Sequence, residues 1–344
     1  MQHARRILMA VLAILALAAG ATVASADRGG GHGGKGDRER VFTLQPDPDA
    51  GNPEGIAFDK RSRSFFVGIT PGGNAAGTIY RGTLGSDTLT PYIPGGAGKA
   101  AIGLKVRRGK LYVAGGPTGS ITVYDLANLA TKEPVATFQT GTGGFLNDLV
   151  VTRRGDVYVT DSFRPTLWHV TAEQVAAGTG TPQALDVSAI PYEGAGAFNV
   201  NGIVAKGGRT LVVVNSFSGK LFRIELGDDR ASIDAIDEIE GATVPGGDGM
   251  LLDRGRLVVV QGAPRNQLSF LKLRRDEARL ERTRTSDKLR GPSTVDATKR
   301  LYLVVNADFD NNVTPFTVAG LPRKSKRGHD HGDHHGHGKR DDRR

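Results

Sequence analysis

The chain has 344 residues and no cysteine, which excludes disulfides, thiolate metal ligands and a cysteine nucleophile. Its formal charge of +9 is concentrated at the ends: residues 1–40 and 323–344 together carry seven of the nine charges. The nearly neutral body argues against a nucleic-acid surface on the folded part.

Residues 1–26 read as a secretory signal peptide. Arg5 and Arg6 form the positive start, Ile7 to Ala19 the apolar stretch and Ala24-Ser25-Ala26 the small-residue cleavage site. The expectation is a secreted or periplasmic protein, cleaved after Ala26. The apolar stretch is short for a membrane span. Residues 27–39 are Gly-rich and charged and read as a flexible linker.

From residue 40 to 321 one pattern recurs six times. Its openings are Glu54-Gly55-Ile56, Ile102-Gly103-Leu104, Asn147-Asp148-Leu149, Asn201-Gly202-Ile203, Asp248-Gly249-Met250 and Pro292-Ser293-Thr294, spaced 48, 45, 54, 47 and 44 residues apart. Each opening leads into a short first strand. About ten residues on comes an apolar second strand, such as Phe65-Phe66-Val67, Val157-Tyr158-Val159 or Leu257-Val258-Val259. A third strand alternates, as in Ser120-Ile121-Thr122-Val123, and a weaker fourth follows. Continuous apolar second strands fit sheets packed on both faces, and alternating outer strands fit one wet face. This period with several short strands per repeat predicts an all-β fold, a six-bladed β-propeller with four-stranded blades. The sixth repeat lacks a fourth strand, so the orphan strand Arg40-Val41-Phe42-Thr43-Leu44 is expected to complete it and close the ring. Ala172 to Ala177 is the one expected helical turn.

Residues 322–344 form a second polar segment, with five histidines among Gly, Asp, Lys and Arg, and are expected to be a disordered tail. Such a tail can contact transition metals weakly or attract an anionic cell surface. The protein is otherwise expected to be a monomer acting on a small molecule.

Four of the six openings begin with an oxygen-bearing side chain: Glu54, Asn147, Asn201 and Asp248. The opening is the innermost position of a blade, so these four should meet on the axis. An Asn-Gly or Asp-Gly pair is also a common turn device. What sets this group apart is its occurrence at one register of the repeat. Two carboxylates and two amide oxygens suit Ca²⁺, then Mg²⁺ or Mn²⁺, whereas Zn²⁺ usually takes His or Cys.

The phrases Asn52-Pro53-Glu54-Gly55-Ile56-Ala57-Phe58-Asp59, Leu146-Asn147-Asp148-Leu149-Val150-Val151, Val200-Asn201-Gly202-Ile203 and Gly247-Asp248-Gly249-Met250 resemble the gluconolactonase / senescence-marker-protein (regucalcin) / luciferin-regenerating-enzyme family over about residues 41 to 320. The resemblance implies a six-bladed propeller with one catalytic divalent metal. It places Glu54, Asn201 and Asp248 among the metal ligands and Asn147 against metal or substrate. It also implies hydrolysis of lactones, or of phosphotriesters as in the related diisopropylfluorophosphatase. Sugar-lactone members often carry Arg two residues before the middle Asn. Phe145 stands there and suggests a less polar substrate.

The expected function is an exported metal-dependent hydrolase of the lactonase or esterase type. The alternatives are a non-catalytic binding propeller with a structural calcium ion and a phosphotriesterase-like hydrolase. Asp248 is the candidate base and Asn147 its catalytic companion. Phe145, Asp161, Asn215, Gln261 and Asn306 are the candidate substrate contacts, although the last four also read as strand-end turns. The body holds one histidine, His169, expected to be a packed or surface strand residue, so neither a His-driven mechanism nor a Ser-His-Asp triad is expected.

Overall fold

Short strands rich in Val, Ile, Leu and Tyr, broken by Gly and charged turns, leave the chain little choice but β-structure. A computed structural model describes residues 38–194 and 196–323. The signal-peptide and tail readings, and most of the linker, lie outside the described residues. Within the linker, Glu39 is described, and it pairs with Arg284 at 2.8 Å.

The first strand, β1 (Arg40–Leu44), is followed by β2 (Pro53–Asp59), β3 (Ser64–Ile69), β4 (Ile79–Thr83) and β5 (Thr88–Ile93). Next come β6 (Leu104–Arg107), β7 (Lys110–Ala114), β8 (Ser120–Asp125) and β9 (Ala136–Gln139). The third group is β10 (Leu146–Val151), β11 (Val157–Asp161), β12 (Thr166–Val170) and β13 (Gln183–Asp186), with the single helix α1 (Ala172–Ala177) between the last two. The fourth is β14 (Val200–Lys206), β15 (Thr210–Asn215), β16 (Leu221–Leu226) and β17 (Ile233–Gly241). The fifth is β18 (Gly247–Asp253), β19 (Arg256–Gln261), β20 (Gln267–Leu273) and β21 (Glu277–Thr285). The chain ends with β22 (Pro292–Ala297), β23 (Leu301–Asn306) and β24 (Thr317–Pro322).

Each group forms an antiparallel four-stranded unit in chain order. The last three strands take β1 as their fourth member, with Arg40 opposite Gly320 and Phe42 opposite Val318. Phe42 is fully buried and meets Phe65 edge-on at 5.1 Å. Two short parallel bridges, β1 with β5 and β17 with β21, were not foreseen; they join neighbouring units at their outer strands into eight-stranded sheets. The second strands β3, β11 and β23 are buried along their whole length, as their apolar runs require. The expected alternation holds in β8 but not in β16, which is buried at five of its six residues. The reason is packing on both faces: Phe222, Ile224 and Leu226 join the cluster shared with the preceding unit, and Leu221 joins the cluster shared with the following one.

The apolar side chains fall into six clusters, each shared by two neighbouring units. One joins β2 and β3 to β23 and β24 through Ile56, Val67, Leu303 and Val318. The next joins the units of Phe66 and Leu104, and the others follow in turn to Phe270 and Val304. The first strands touch in the order β2, β6, β10, β14, β18 and β22, and β22 touches β2 again. The glycines after the openings permit this approach. A Cβ on Gly55 would lie 1.9 Å from the Ile102 carbonyl oxygen, and one on Gly202 2.2 Å from that of Asp248. Close backbone packing, not a turn, fixes these glycines.

Candidate metal site and its apolar rim

The first strands carry a shared irregularity. Pairing skips from Pro53 to Ile56, Leu146 to Leu149, Val200 to Ile203, Gly247 to Met250 and Pro292 to Val295. The residue after each skip start is therefore equivalent: Glu54, Asn147, Asn201, Asp248 and Ser293. This corrects the sixth opening, whose leading position is Ser293 and not Pro292. Ser293 turns its hydroxyl to the Glu54 carbonyl at 2.7 Å. The bulge re-aims one side chain per unit.

Three of the predicted four interact: Glu54 feels the Asp248 charge, and the Asn201 side chain hydrogen-bonds Asp248. Glu54, Asn147 and Asn201 are buried, and Asp248 is partly buried. Burial, then the charges of Asp248 and Asp148, hold the Glu54 carboxyl well above the usual range, against an opposing pull from Lys105. Burial and then the Asp148 charge push Asp248 up to about 7, while the Asn201 side chain and the Gly249 amide act the other way. Groups from different units thus feel one another directly, as convergence demands. Glu54 Oε2 and Asn201 Oδ1 are buried with no hydrogen-bond partner. Asn147 is oriented from behind: its Nδ2 donates to Ser162 Oγ at 3.0 Å, and that hydroxyl donates to the Val200 carbonyl at 2.8 Å.

Three charged neighbours were missed in the sequence. Asp148 occupies the place held by glycine in four other repeats and receives Lys105 Nζ at 3.0 Å. Asp296, on β22, accepts the Phe58 amide at 2.7 Å, and its carboxyl is raised by burial. The signal was present: a carboxylate at a glycine register, and a lysine inside an apolar first strand. Among the described residues no three Asp, Glu or His side chains form a ready-made metal cluster. The candidate set is half amide, and it passes a different test. Two buried acceptor oxygens lack donors, and every donor atom offered is oxygen. That chemistry fits a hard divalent cation.

The other candidates divide. Asp161, Asn215, Gln261 and Asn306 are one structural position, the end of a second strand opposite the skip start. All four are buried and their side chains are saturated by the scaffold. Asp161 accepts five hydrogen bonds, from the amides of Phe145, Phe163 and Arg164 and from Arg164 Nε and Trp168 Nε1. Asn215 bridges Pro191 and Ser218. Gln261 bridges Pro245, Gln267 and Ser269. Asn306 bridges Lys288, Arg290 and Thr317. They brace loops and do not present free polar atoms to a substrate. Phe145 is different: it is partly exposed and packs against Phe163 and Phe198 at centroid distances of 5.4 and 5.0 Å. A cleft of about 90 Å³ lined by Lys272, Arg274, Glu277 and Arg279 lies on the outer strands β20 and β21, far along the unit from these groups.

No protein-family model matches the chain, and no curated protein matches it. Solved structures do. A gluconolactonase from Xanthomonas campestris is 16% identical with a TM-score of 0.58, covering 83% of this chain and 90% of its own. A luciferin-regenerating enzyme is 12% identical with a TM-score of 0.56, covering 82% and 95%. A catalytically inactive variant of virginiamycin B lyase from Staphylococcus aureus with quinupristin is 12% identical with a TM-score of 0.52, covering 83% and 100%. The chain therefore has the fold of the gluconolactonase and luciferin-regenerating-enzyme propellers.

Proposed function

We propose that this protein is an exported, metal-dependent hydrolase of lactones or esters. Its frame is a six-bladed propeller whose N-terminal strand completes the last blade. Six shared hydrophobic clusters and the β1–β24 pairing support that frame. Glu54, Asn147, Asn201 and Asp248 would hold one divalent cation, with Ca²⁺ best suited to the oxygen-only donors. The observation that carries the reading is the pair of buried, donorless oxygens, Glu54 Oε2 and Asn201 Oδ1, beside the Asp248 carboxyl.

When bound, the cation would polarise the carbonyl of a lactone or ester. The chain's own groups handle the proton. Asp248 takes a proton from the attacking water and returns it to the leaving oxygen. Asn147, pinned by Ser162, positions its amide carbonyl beside the reacting group. Asn201 orients the Asp248 carboxyl.

The test is hydrolysis of a small lactone and ester panel, with paraoxon as the phosphotriester probe, in Ca²⁺ and in EDTA. Turnover of lactones that vanishes in EDTA supports the reading. Preferential turnover of paraoxon would move the substrate class to phosphotriesters. A calcium-dependent thermal shift without any turnover would make the protein a non-catalytic binding propeller.

A further inference from the structure

Three phenylalanines stand beside the polar groups just described. Phe145 lies two residues before Asn147, Phe198 three before Asn201, and Phe163 just past Ser162, which pins Asn147. Their rings form a closed triangle, with centroids 5.4, 5.0 and 5.2 Å apart. Each is partly exposed. Buried apolar packing continues inward from Phe145. A methyl on Gly116 would meet Ile102 Cγ1 at 2.7 Å and the Phe145 ring at 3.5 Å, and Ile102 holds the leading position of the second unit. Phe217, which follows β15 as Phe163 follows β11, is 59% exposed.

The triangle is held rigidly. Asp161, with no exposed surface, accepts from the Phe145 amide at 2.9 Å and the Phe163 amide at 3.2 Å. Tyr192 ties the Asp161 carbonyl at 2.8 Å. Asn199, 2% exposed, fixes the loop bearing Phe198 through Glu193 and Ala197, and its amide donates to the Ser162 carbonyl. Phe145 and Phe198 meet at 90° and Phe163 is tilted to them by 46° and 49°, so the rings offer both edges and faces to alkyl or aryl groups.

We infer that Phe145, Phe163 and Phe198 form an apolar subsite that selects lactones or esters carrying an alkyl or aryl substituent next to the reacting carbonyl, over polyhydroxylated sugar lactones. This specificity rests on the hydrolase reading above. A sugar lactone presents hydroxyls that this quarter of the site leaves without partners, whereas each buried methylene gains affinity by about two- to fourfold.

The experiment uses the full chain with Ca²⁺. Non-hydrolysable γ-lactams carrying zero to eight side-chain carbons are titrated by calorimetry, and the matching γ-lactones and gluconolactone are assayed for kcat/KM. The expected result is affinity rising about two- to fourfold per methylene, with gluconolactone the poorest substrate. Phe163→Ala and Phe198→Ala should flatten that slope while leaving calcium affinity intact, and Phe163→Leu should restore most of it. Equal affinity along the series, or a preference for gluconolactone, overturns the subsite. A protein that shows the chain-length slope but takes up no Ca²⁺ keeps the subsite and sinks the metal-site reading. Calcium uptake with lactone turnover but no slope does the reverse.

Discussion

Two polar registers repeat through this molecule, thirteen or fourteen residues apart in the chain, alike in residue type and different in how their side chains are partnered. The leading position of the first strand holds Glu54, Asn147, Asn201 and Asp248. The last position of the second strand holds Asp161, Asn215, Gln261 and Asn306. Both sets are mostly buried and both mix carboxylates with amides. In the second set the scaffold supplies the partners; Asp161 alone accepts five hydrogen bonds. In the first, Glu54 Oε2 and Asn201 Oδ1 have none, and the carboxyls of Glu54 and Asp248 are raised by burial and by neighbouring carboxylates, Asp148 acting on both. The two registers differ less in residue type than in whether their buried atoms are satisfied.

The contrast breaks most sharply at Asp248. Asp248→Ala should lower lactone kcat/KM by a factor on the order of 100 or more and abolish any thermal response to calcium. Retained calcium-dependent turnover would refute the site. Asp161→Ala should do the opposite kind of damage. It leaves buried amides and Arg164 without their acceptor, costing about 3–5 kcal/mol and lowering Tm by on the order of 10 °C. Its calcium affinity should survive, which calorimetry at a temperature well below Tm would check.

Metal removal sharpens the comparison at smaller scale. A cation that binds only the folded chain stabilises it by about 2.7 kcal/mol when present at 100 times its Kd. EDTA should therefore lower Tm in the wild type. The ligands must be deprotonated to bind. Because Asp248 is raised to about 7, the calcium-induced shift should grow from pH 5 to pH 8. Glu54→Gln should erase the shift yet be neutral or slightly stabilising in EDTA, since it removes a carboxylate that burial and Asp248 disfavour. A Glu54→Gln protein less stable than wild type in EDTA would mean that Glu54 is a brace like Asp161.

Much of this was legible beforehand, and the losses have physical causes. The apolar second strands and the place of β1 beside β24 follow from composition and from the missing strand of the sixth repeat. The sixth opening was misread by one residue because Pro292, a conspicuous symbol in sequence, sits at the skip start before the bulge. The parallel bridges β1–β5 and β17–β21 depend on how far outer strands extend, which a weak alternating pattern does not encode. The shared register of the four leading residues was visible as a repeat in the sequence. Asp148 was quoted within its opening and passed over, because its role depends on Lys105 from the neighbouring unit, forty-three residues away. The partners of the strand-end residues were not legible, because sequence shows a polar side chain but not what it bonds.

His169 offers the gentlest test of the same distinction, on a strand well away from the leading register. It is 2% exposed and lies flat on Tyr158, with ring centroids 4.6 Å apart and planes within 6°. Neither ring nitrogen has a hydrogen-bond partner, and Asp156 is 4.0 Å from Nε2. Burial lowers its pKa below 6.5, against the attraction of Asp156. The unfolded chain therefore binds a proton more readily than the native ring does. Stability from this group is whole above pH 6.5 and declines as pH falls through the native value, by at most about 1.4 kcal/mol per pH unit. His169→Phe keeps the stacked ring and removes the titration, so its Tm should fall less than that of the wild type between pH 7 and pH 5. Parallel curves for the two proteins would mean that the imidazole accepts its proton inside the fold, and that an unsatisfied buried nitrogen here carries no energetic consequence.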